Sequence, residues 1–184
     1  GTAILLALLT GCSEEGKAPE QTQAVTEDVK KDDAMPVMVM PSNEEIEKEG
    51  LEQSENMAEE IVDKLTASGV ADYVDVTAYS KYVMLNVSGG ILFNSGKSEL
   101  TSEARSLLDK VADALIEYDD NVITIEGHTD SVPINTSLFP NNMMLSLYRA
   151  YSVFDFFVSE KGFSDQTMSS SGRGDAVPIA TNDT

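Results

Sequence analysis

The stretch that decides the fold reads NVITIEGHTD and covers residues 121–130. Its apolar residues Ile123 and Ile125 alternate with Val122 and Thr124, which is the two-residue period of a strand with two distinct faces. The run then ends in the letters GHTD, and a glycine followed by polar residues is typical of the end of a strand. The stretch therefore predicts a strand whose last residues are polar.

A helix is predicted on each side of this strand. The first is capped by Thr101 or Ser102, and its apolar residues recur at helical spacing, so that one face must be buried. These residues are Ala104, Leu107, Leu108, Val111, Ala112, Leu115 and Ile116. The second helix is predicted to begin with Asn142 as its cap and to end near Lys161-Gly162. Its inward residues are predicted to be Leu145, Ala150, Val153, Phe156 and Phe157.

Three further segments have the composition of strands. Residues 73–79 and 81–87 are rich in β-branched and aromatic side chains and are joined by a tight turn, and residues 164–171 hold one more short strand. Strands that alternate with helices predict an α/β (α+β) domain, in which a mixed sheet is covered by two helices.

The N-terminal part of the chain differs in composition from this domain. Residues 13–64 carry 16 of the 32 acidic residues but only 5 of the 12 basic ones, in a chain of 184 residues with a net charge of −20. Few aromatics and high charge are typical of a solvated segment. We therefore expect an acidic flexible tether over residues 13–41, which contains an apolar patch at 35–41, and a lead-in helix over 42–69, with the binding domain over 70–184. The apolar stripe of the lead-in helix is narrow and interrupted, so the helix is expected to be partly exposed and not a member of the core, and Gly69 is expected to end it.

The first twelve residues resemble the end of a bacterial lipoprotein signal. Residues 3–9 form an apolar run that is too short to cross a membrane but long enough for the apolar part of a signal. The letters LTGC that end at Cys12 match the family's cleavage pattern, which implies that Cys12 is lipidated. The lack of an initiating Met and of a basic start predicts that the sequence begins inside this signal. The alternative is a truncated transmembrane helix that ends in a buried cysteine.

Composition also excludes several kinds of site. The chain lacks the clustered Lys and Arg that neutralise phosphates, so nucleic acid is not a predicted partner. One cysteine allows neither an intramolecular disulfide nor a multi-cysteine metal site. No cofactor and no metal site are predicted.

Residues from about 83 to 184 resemble the C-terminal domain of the OmpA/MotB family, whose members bind peptidoglycan. The resemblance rests on ILFNSGKSEL at 91–100, EGHTD at 126–130, NMMLSLYRA at 142–150 and GRGDAVPIATNDT at 172–184. The two middle motifs fall on the strand and the helix that their own patterns predict. The resemblance implies the family's β-α-β-α-β arrangement, with its last strand missing from this sequence.

The resemblance also implies a binding site for the free end of diaminopimelate, which carries an ammonium and a carboxylate. Asp130 would accept hydrogen bonds from the ammonium, and Arg149 would pair with the carboxylate through its planar fork. Backbone N–H groups of Leu145 and Ser146 would favour the anion at the helix start, while Thr129 and Asn142 would shape the pocket. Taken alone, the aspartate could equally cap a turn, and the arginine could lie on the surface.

Other residues favour structural roles. His128 is the only histidine, and no nucleophile motif accompanies it, so a role in orienting the pocket loop is expected rather than catalysis. Phe93, Phe156 and Phe157 are expected in the core. Tyr148 lies beside Arg149 and could face the cell wall.

These observations predict a lipid-anchored protein of the cell envelope, outside the cytoplasm, that binds peptidoglycan and is not an enzyme. Its partners would be peptidoglycan and, through Cys12, a membrane, while a homodimer is left open. The alternative is an anchor of a motor stator similar to MotB, favoured by the long loop at 131–141, which would need a membrane helix with an ion-binding aspartate. A wall-cleaving hydrolase is not favoured, because no metal cluster, nucleophile or paired carboxylates stand out.

Overall fold

A five-stranded mixed sheet organises the protein, for which a computed structural model describes residues 3–9 and 43–175. The strands are β1 (Ala3–Leu9), β2 (Val74–Tyr79), β3 (Tyr82–Ser88), β4 (Ile123–His128) and β5 (Met168–Gly174), in the spatial order β2-β3-β1-β4-β5. The predicted mixed sheet is confirmed, and the predicted strands differ from the observed ones mainly in their bounds.

The direction of the strands brings the segments that follow β3 and β4 to one edge of the sheet. β1 pairs antiparallel with both β3 and β4, so β3 and β4 run in the same direction, and β5 is parallel to β4. The carboxyl ends of β3, β4 and β5 therefore lie at the same edge. The segments that follow β3 and β4 become neighbours there, although 40 residues separate the ends of these two strands along the chain.

β1 is a strand that the sequence analysis did not predict. Its residues had been assigned to the apolar part of a lipoprotein signal, and an uninterrupted apolar run of this length is also typical of a strand with neighbours on both sides. Ala3 pairs with Ser88 of β3 and with His128 of β4, so the segment lies in the middle of the sheet. The signal itself stays a prediction, and Cys12 and the apolar patch at 35–41 lie outside the described residues.

Helices α1 (Asn43–Ala67), α3 (Ser102–Leu115) and α4 (Asn142–Asp155) pack against the sheet, and α2 (Gly89–Leu92) is a single turn that follows β3. A π-helical turn at Phe156–Glu160 extends α4. Val83, Leu85, Ile123 and Ile125 are fully buried and belong to the same core cluster as side chains from all three long helices. The helices therefore cover one face of the sheet, and they number three rather than the predicted two.

The additional helix is α1, which was expected to lie outside the core. Ile46 near its start is 51% exposed, but Ile61 and Leu65 are fully buried in the core cluster. The prediction was wrong for this second half, because a narrow apolar stripe is sufficient when only one end of a helix contacts the sheet. Gly69, with φ +71°, follows the helix as predicted.

The buried faces predicted for α3 and α4 agree with the structure, except for one residue at the end of α3. At the start of α4 the predicted cap is wrong by one residue. The hydroxyl of Thr101 accepts a hydrogen bond from the Ala104 N–H, as a helix cap does. The cap of α4 is Asn141, whose side-chain oxygen accepts from the Met144 N–H, and not Asn142. Ile116 was predicted to be buried but is 43% exposed, because α3 ends one residue before it.

Two glycines allow α4 to lie very close to the sheet. A Cβ atom on Gly127 of β4 would lie 2.1 Å from the Ser146 carbonyl oxygen, and one on Gly172 of β5 would lie 2.6 Å from the Leu147 nitrogen. Both contacts involve helix backbone, which cannot move away as a flexible side chain can. Glycine is therefore required at both positions by the spacing between helix and sheet.

We expect Gly127→Ala and Gly172→Ala to lower the free energy of unfolding, each by roughly 1–3 kcal/mol or more, since the added methyl group must push α4 away from the sheet. Gly90→Ala is the matched control, because its Cβ would meet only the Ser88 hydroxyl at 3.8 Å. Urea unfolding followed by circular dichroism measures all three variants. Equal stability of Gly127→Ala and Gly90→Ala would contradict the close packing.

Candidate functional site

A cavity of about 710 Å³ lies at the carboxyl edge of the sheet. One side of it is formed by the segment after β3, from Gly89 to Gly96. The opposite side is formed by Thr129 and Asp130, which follow β4, and by the loop residues 132–136. Side chains of α4 complete the lining. The cavity therefore lies where the two loops and the start of α4 meet.

Five of the six predicted ligand-binding residues line this cavity. They are Thr129, Asp130, Asn142, Leu145 and Arg149. The fold brings together an aspartate and an arginine that are 19 positions apart in sequence, because the loop between β4 and α4 turns the chain back over the sheet edge. The structure thus places these residues in one concave site.

Ser146 is the predicted residue that does not line the cavity. It is fully buried, and its hydroxyl donates to the Met143 carbonyl (2.8 Å) and accepts from the Gly174 N–H (2.9 Å). Its hydrogen bonds therefore join α4 to β5. The predicted role of free backbone N–H groups is also wrong for Leu145, whose N–H donates to the Asn141 carbonyl at 3.2 Å, while its buried side chain lines the cavity.

Arg149 is buried and attached to the turn that follows β3. It is 5% exposed, its Nε donates to the Lys97 carbonyl (2.8 Å), and its Nη2 donates to the Asn94 carbonyl (3.3 Å). The guanidinium carbon also lies 5.0 Å from the centre of the Phe93 ring, within the range of a cation–π interaction. These contacts fix the plane of the guanidinium group.

The same contacts leave part of the guanidinium group unused. A guanidinium carries five N–H groups, and two of them are used by the turn. Nε and Nη2 form one edge of the planar group, so the edge formed by Nη1 and Nη2 has no acceptor among the described residues. A fixed planar edge with two N–H donors matches the geometry of a carboxylate.

Asp130 supplies the opposite charge. Its side chain is partly exposed in the cavity, and none of the ion pairs formed by the described residues includes it. Burial lowers the pKa of Arg149, and the carboxylate of Asp130 opposes this by raising it. The two groups are therefore close enough to interact electrostatically without forming an ion pair with each other.

Thr129 has a buried hydroxyl group that forms no hydrogen bond with the residues that the structure describes. Its backbone N–H donates to the Gly174 carbonyl at 2.9 Å, whereas its hydroxyl oxygen is buried without a hydrogen bond among the described residues. A buried hydroxyl of this kind is uncommon in folded proteins and is often satisfied by a ligand or a water molecule. The hydroxyl belongs to a residue that lines the cavity.

Asn142 holds the loop in place. Its amide nitrogen donates to the carbonyl oxygens of Asp130 and Val132, at 3.1 Å in each case. The prediction that Asn142 shapes the pocket stays a prediction for ligand binding, but these two bonds show how the residue fixes the backbone of Asp130. The other end of the loop is fixed by Phe139, which is buried and packs edge-on against Tyr148 with 5.6 Å between ring centres.

The remaining predicted residues have clear positions. Phe93, Phe156 and Phe157 are buried, as predicted. His128 is buried at the end of β4, with its Nε2 3.8 Å from a carboxylate oxygen of Glu126, and its role in orienting the loop stays a prediction. Tyr148 is 47% exposed on the outer side of α4.

Much of the cavity lining lies in segments for which no binding role was predicted. The segment Asn94-Ser95-Gly96 belongs to the motif at 91–100, and the residues Val132, Pro133, Ile134 and Thr136 belong to the loop at 131–141. All of them line the cavity. The signal that could have found them is the shared direction of β3 and β4, but this direction depends on β1, which was not predicted as a strand.

Fold and site together define a small mixed α+β domain with a cavity lined by an aspartate and a buried arginine. The OmpA family model matches residues 92–184, and the chain belongs to this family. None of the helices among the described residues has the length and apolar character of a membrane span.

Known proteins with similar sequences and structures agree with this assignment. The chain is 26% identical to motility protein B of Bacillus subtilis, over 72% of this chain and 51% of that protein. It is 32% identical to the probable lipoprotein YiaD of Escherichia coli, over 66% of this chain and 52% of that protein. The structure of the cell wall anchor of the T6SS from Pseudomonas aeruginosa is similar, with a TM-score of 0.60, 30% identity and coverage of 67% of this chain and 85% of that one. The chain spans about half the length of the relatives that it matches.

We expect Arg149→Lys to lower the free energy of unfolding by roughly 2 kcal/mol or more, because a lysine cannot donate to both the Asn94 and Lys97 carbonyls from one plane. Arg173→Lys is the matched control and should change stability by less than about 0.5 kcal/mol, since Arg173 is exposed and a lysine can keep its surface ion pair with Glu126. Thermal unfolding measures both variants. An Arg149→Lys variant as stable as the parent would show that the two hydrogen bonds contribute little.

Proposed function

We propose that the domain binds peptidoglycan non-covalently through the free end of the diaminopimelate stem peptide. The observation that carries this proposal is the edge of the buried Arg149 guanidinium that no described residue uses. It lines the same cavity as the Asp130 carboxylate, which forms no ion pair with the residues that the structure describes. A ligand that carries an ammonium and a carboxylate on one carbon would satisfy both groups.

The chemistry of the site also predicts which ligands bind poorly. A stem peptide that contains lysine has the ammonium but lacks the second carboxylate. The Arg149 edge would then be buried under the ligand without an acceptor, and an unpaired buried charge is costly. We therefore expect selection for diaminopimelate over lysine, with the hydroxyl of Thr129 as an additional donor.

The proposed activity is binding and not catalysis. Asp130 and Arg149 are oriented to hold charges, and the cavity lining offers no histidine or cysteine and no second carboxylate beside Asp130 in the part of the chain that the structure describes. The names of two similar proteins, a cell wall anchor and a probable lipoprotein, support a role in attachment within the cell envelope.

Attachment to a membrane through a lipid on Cys12 is the second half of the proposal. A single acyl chain binds a membrane only weakly, so a second attachment, to the cell wall, would strengthen the anchoring. Once one attachment is made, the tether keeps the other binding group at a high effective concentration near its partner. The acidic residues 13–41 would then be the tether between the two points of attachment. The protein would link a membrane to peptidoglycan outside the cytoplasm.

A motor-type anchor is the alternative. It is favoured by the similarity to motility protein B, which covers 72% of this chain. In that case the same cavity would hold the cell wall, and the membrane attachment would differ. Both versions therefore make the same prediction for the binding site.

We expect the whole chain to bind a diaminopimelate stem tripeptide in titration calorimetry and to bind the lysine tripeptide at least tenfold more weakly. Asp130→Asn should weaken the binding of the diaminopimelate peptide by tenfold or more, because the ligand ammonium loses a charged acceptor and roughly 1.5–3 kcal/mol with it. Asp165→Asn, an exposed carboxylate that does not line the cavity, is the matched control.

Asp130→Asn tests the binding site more directly than any variant of Arg149 does. Arg149 also stabilises the fold through its two hydrogen bonds, so its substitution would change binding and stability together. Binding that is equal for both tripeptides, or unchanged in Asp130→Asn, would contradict the proposed site. Loss of binding in Asp165→Asn as well would point to a general effect of charge.

Lipid attachment has its own test. When the protein is produced from a gene with a complete signal in a bacterial host, we expect a clickable fatty acid to label it and Cys12→Ser to remove the label. The N-terminus of the purified protein, measured by mass spectrometry, should begin at Cys12. An unlabelled protein that keeps residues 1–11 would overturn this half of the proposal and leave the binding site unaffected.

A further inference from the structure

Charged and apolar side chains both line the cavity. Asp130 and Arg149 supply the charges and Thr129 a hydroxyl group, while the loop residues Val132, Pro133 and Ile134 supply apolar side chains. The proposed ligand combines the same kinds of group, because an aliphatic chain separates its charged free end from the rest of the stem peptide. Asp130 and Arg149 would fix the charged end of the ligand, and the length of its carbon chain must be recognised by other residues.

The loop that carries Ile134 is held in a defined position. Asn142 fixes the start of the loop through the Asp130 and Val132 carbonyls. Further along, the Thr136 N–H donates to the Phe139 carbonyl (2.9 Å), and the Phe139 N–H donates to the Thr136 hydroxyl (3.0 Å), which closes a tight turn. Phe139 is itself buried. Ile134 lies between these two fixed points.

Ile134 lies beside the turn that Arg149 holds. A Cβ atom placed on Gly96 would lie 3.7 Å from the Ile134 Cδ1 atom, so the end of this side chain is close to the Gly96 backbone. Gly96 has φ +67° and lies between Asn94 and Lys97, the two residues whose carbonyls accept from Arg149. The Ile134 side chain is therefore near the backbone segment that holds the guanidinium group.

We propose that Ile134 is a specificity-determining residue that selects the length of the carbon chain between the charged end and the remainder of the ligand. This inference rests on the proposed function, because Asp130 and Arg149 must hold the charged end. An apolar side chain in a fixed position gains contact with a chain of the right length, loses it with a shorter one and is displaced by a longer one.

The test uses three synthetic stem tripeptides that end in diaminoadipate, diaminopimelate or diaminosuberate. They share the same charged end, and each carbon chain is one methylene longer than the one before. For the unmodified chain we expect the diaminopimelate peptide to bind best, by about fourfold over each neighbour, which is the effect of one buried methylene. Titration calorimetry measures the three affinities.

Ile134→Ala should reduce the preference for the diaminopimelate peptide over each of the other two peptides to less than about twofold. The substitution removes the side chain that is proposed to contact the carbon chain of the ligand. Ile134→Val removes a single methylene and should give intermediate ratios, which protects the test if the alanine variant folds poorly. Leu138→Ala is the matched control, because Leu138 lies on the same loop, is 70% exposed and does not line the cavity. Its ratios should equal those of the unmodified chain.

The two proposals fail in different ways. If no tripeptide binds, or if binding is unaffected by Asp130→Asn, the proposed function is wrong and the role of Ile134 is wrong with it. If binding requires Asp130 but the ratios among the three peptides are the same in Ile134→Ala as in the unmodified chain, only the role of Ile134 is overturned. If Ile134→Ala weakens the binding of all three peptides by the same factor, the affinity ratios are unchanged. This result also counts against the inference, because a merely structural role of Ile134 would have that effect.

Discussion

The close approach of α4 to β4 and β5 is the constraint on which the site depends. Because Gly127 and Gly172 have no side chains, the helix backbone at Ser146 and Leu147 lies directly on the strands. One turn of helix separates Leu145 from Arg149, and both reach the cavity from this position. A wider spacing would move the guanidinium group away from the turn after β3, and the two hydrogen bonds that link α4 to that turn would be lost.

Arg149 serves the fold and the proposed binding site with different edges of one planar group. Burying a cation is unfavourable, and here the backbone carbonyls of Asn94 and Lys97, the Phe93 ring and the nearby Asp130 carboxylate offset part of that penalty. A bound carboxylate would offset more of it. The site is therefore preorganised. The protein fixes the direction of the donors before a ligand arrives, so that binding costs less conformational entropy.

The sequence predicted the parts of the structure whose signals are local. The period of Ile123 and Ile125, the apolar face of α3 and the turn at Gly69 each depend on neighbouring residues, and each was found. The positions of Asp130 and Arg149 were inferred from a family resemblance and not from spacing. The Asn94–Gly96 side of the cavity was missed, because it reaches the site only through the order of strands, which is a property of pairing between distant segments.

The segment 3–9 shows why strand order was hard to predict. Its uninterrupted apolar run is typical of a signal and of an inner strand alike, and the structure places it between β3 and β4. If cleavage before Cys12 removes these residues, the facing backbone groups of β3 and β4 lose their partners, and unpaired groups inside a sheet must be paired again by another strand or by water. The cavity lies at the carboxyl edge of the same two strands, so whatever occupies this position in the sheet also sets the distance between the two walls of the proposed binding site.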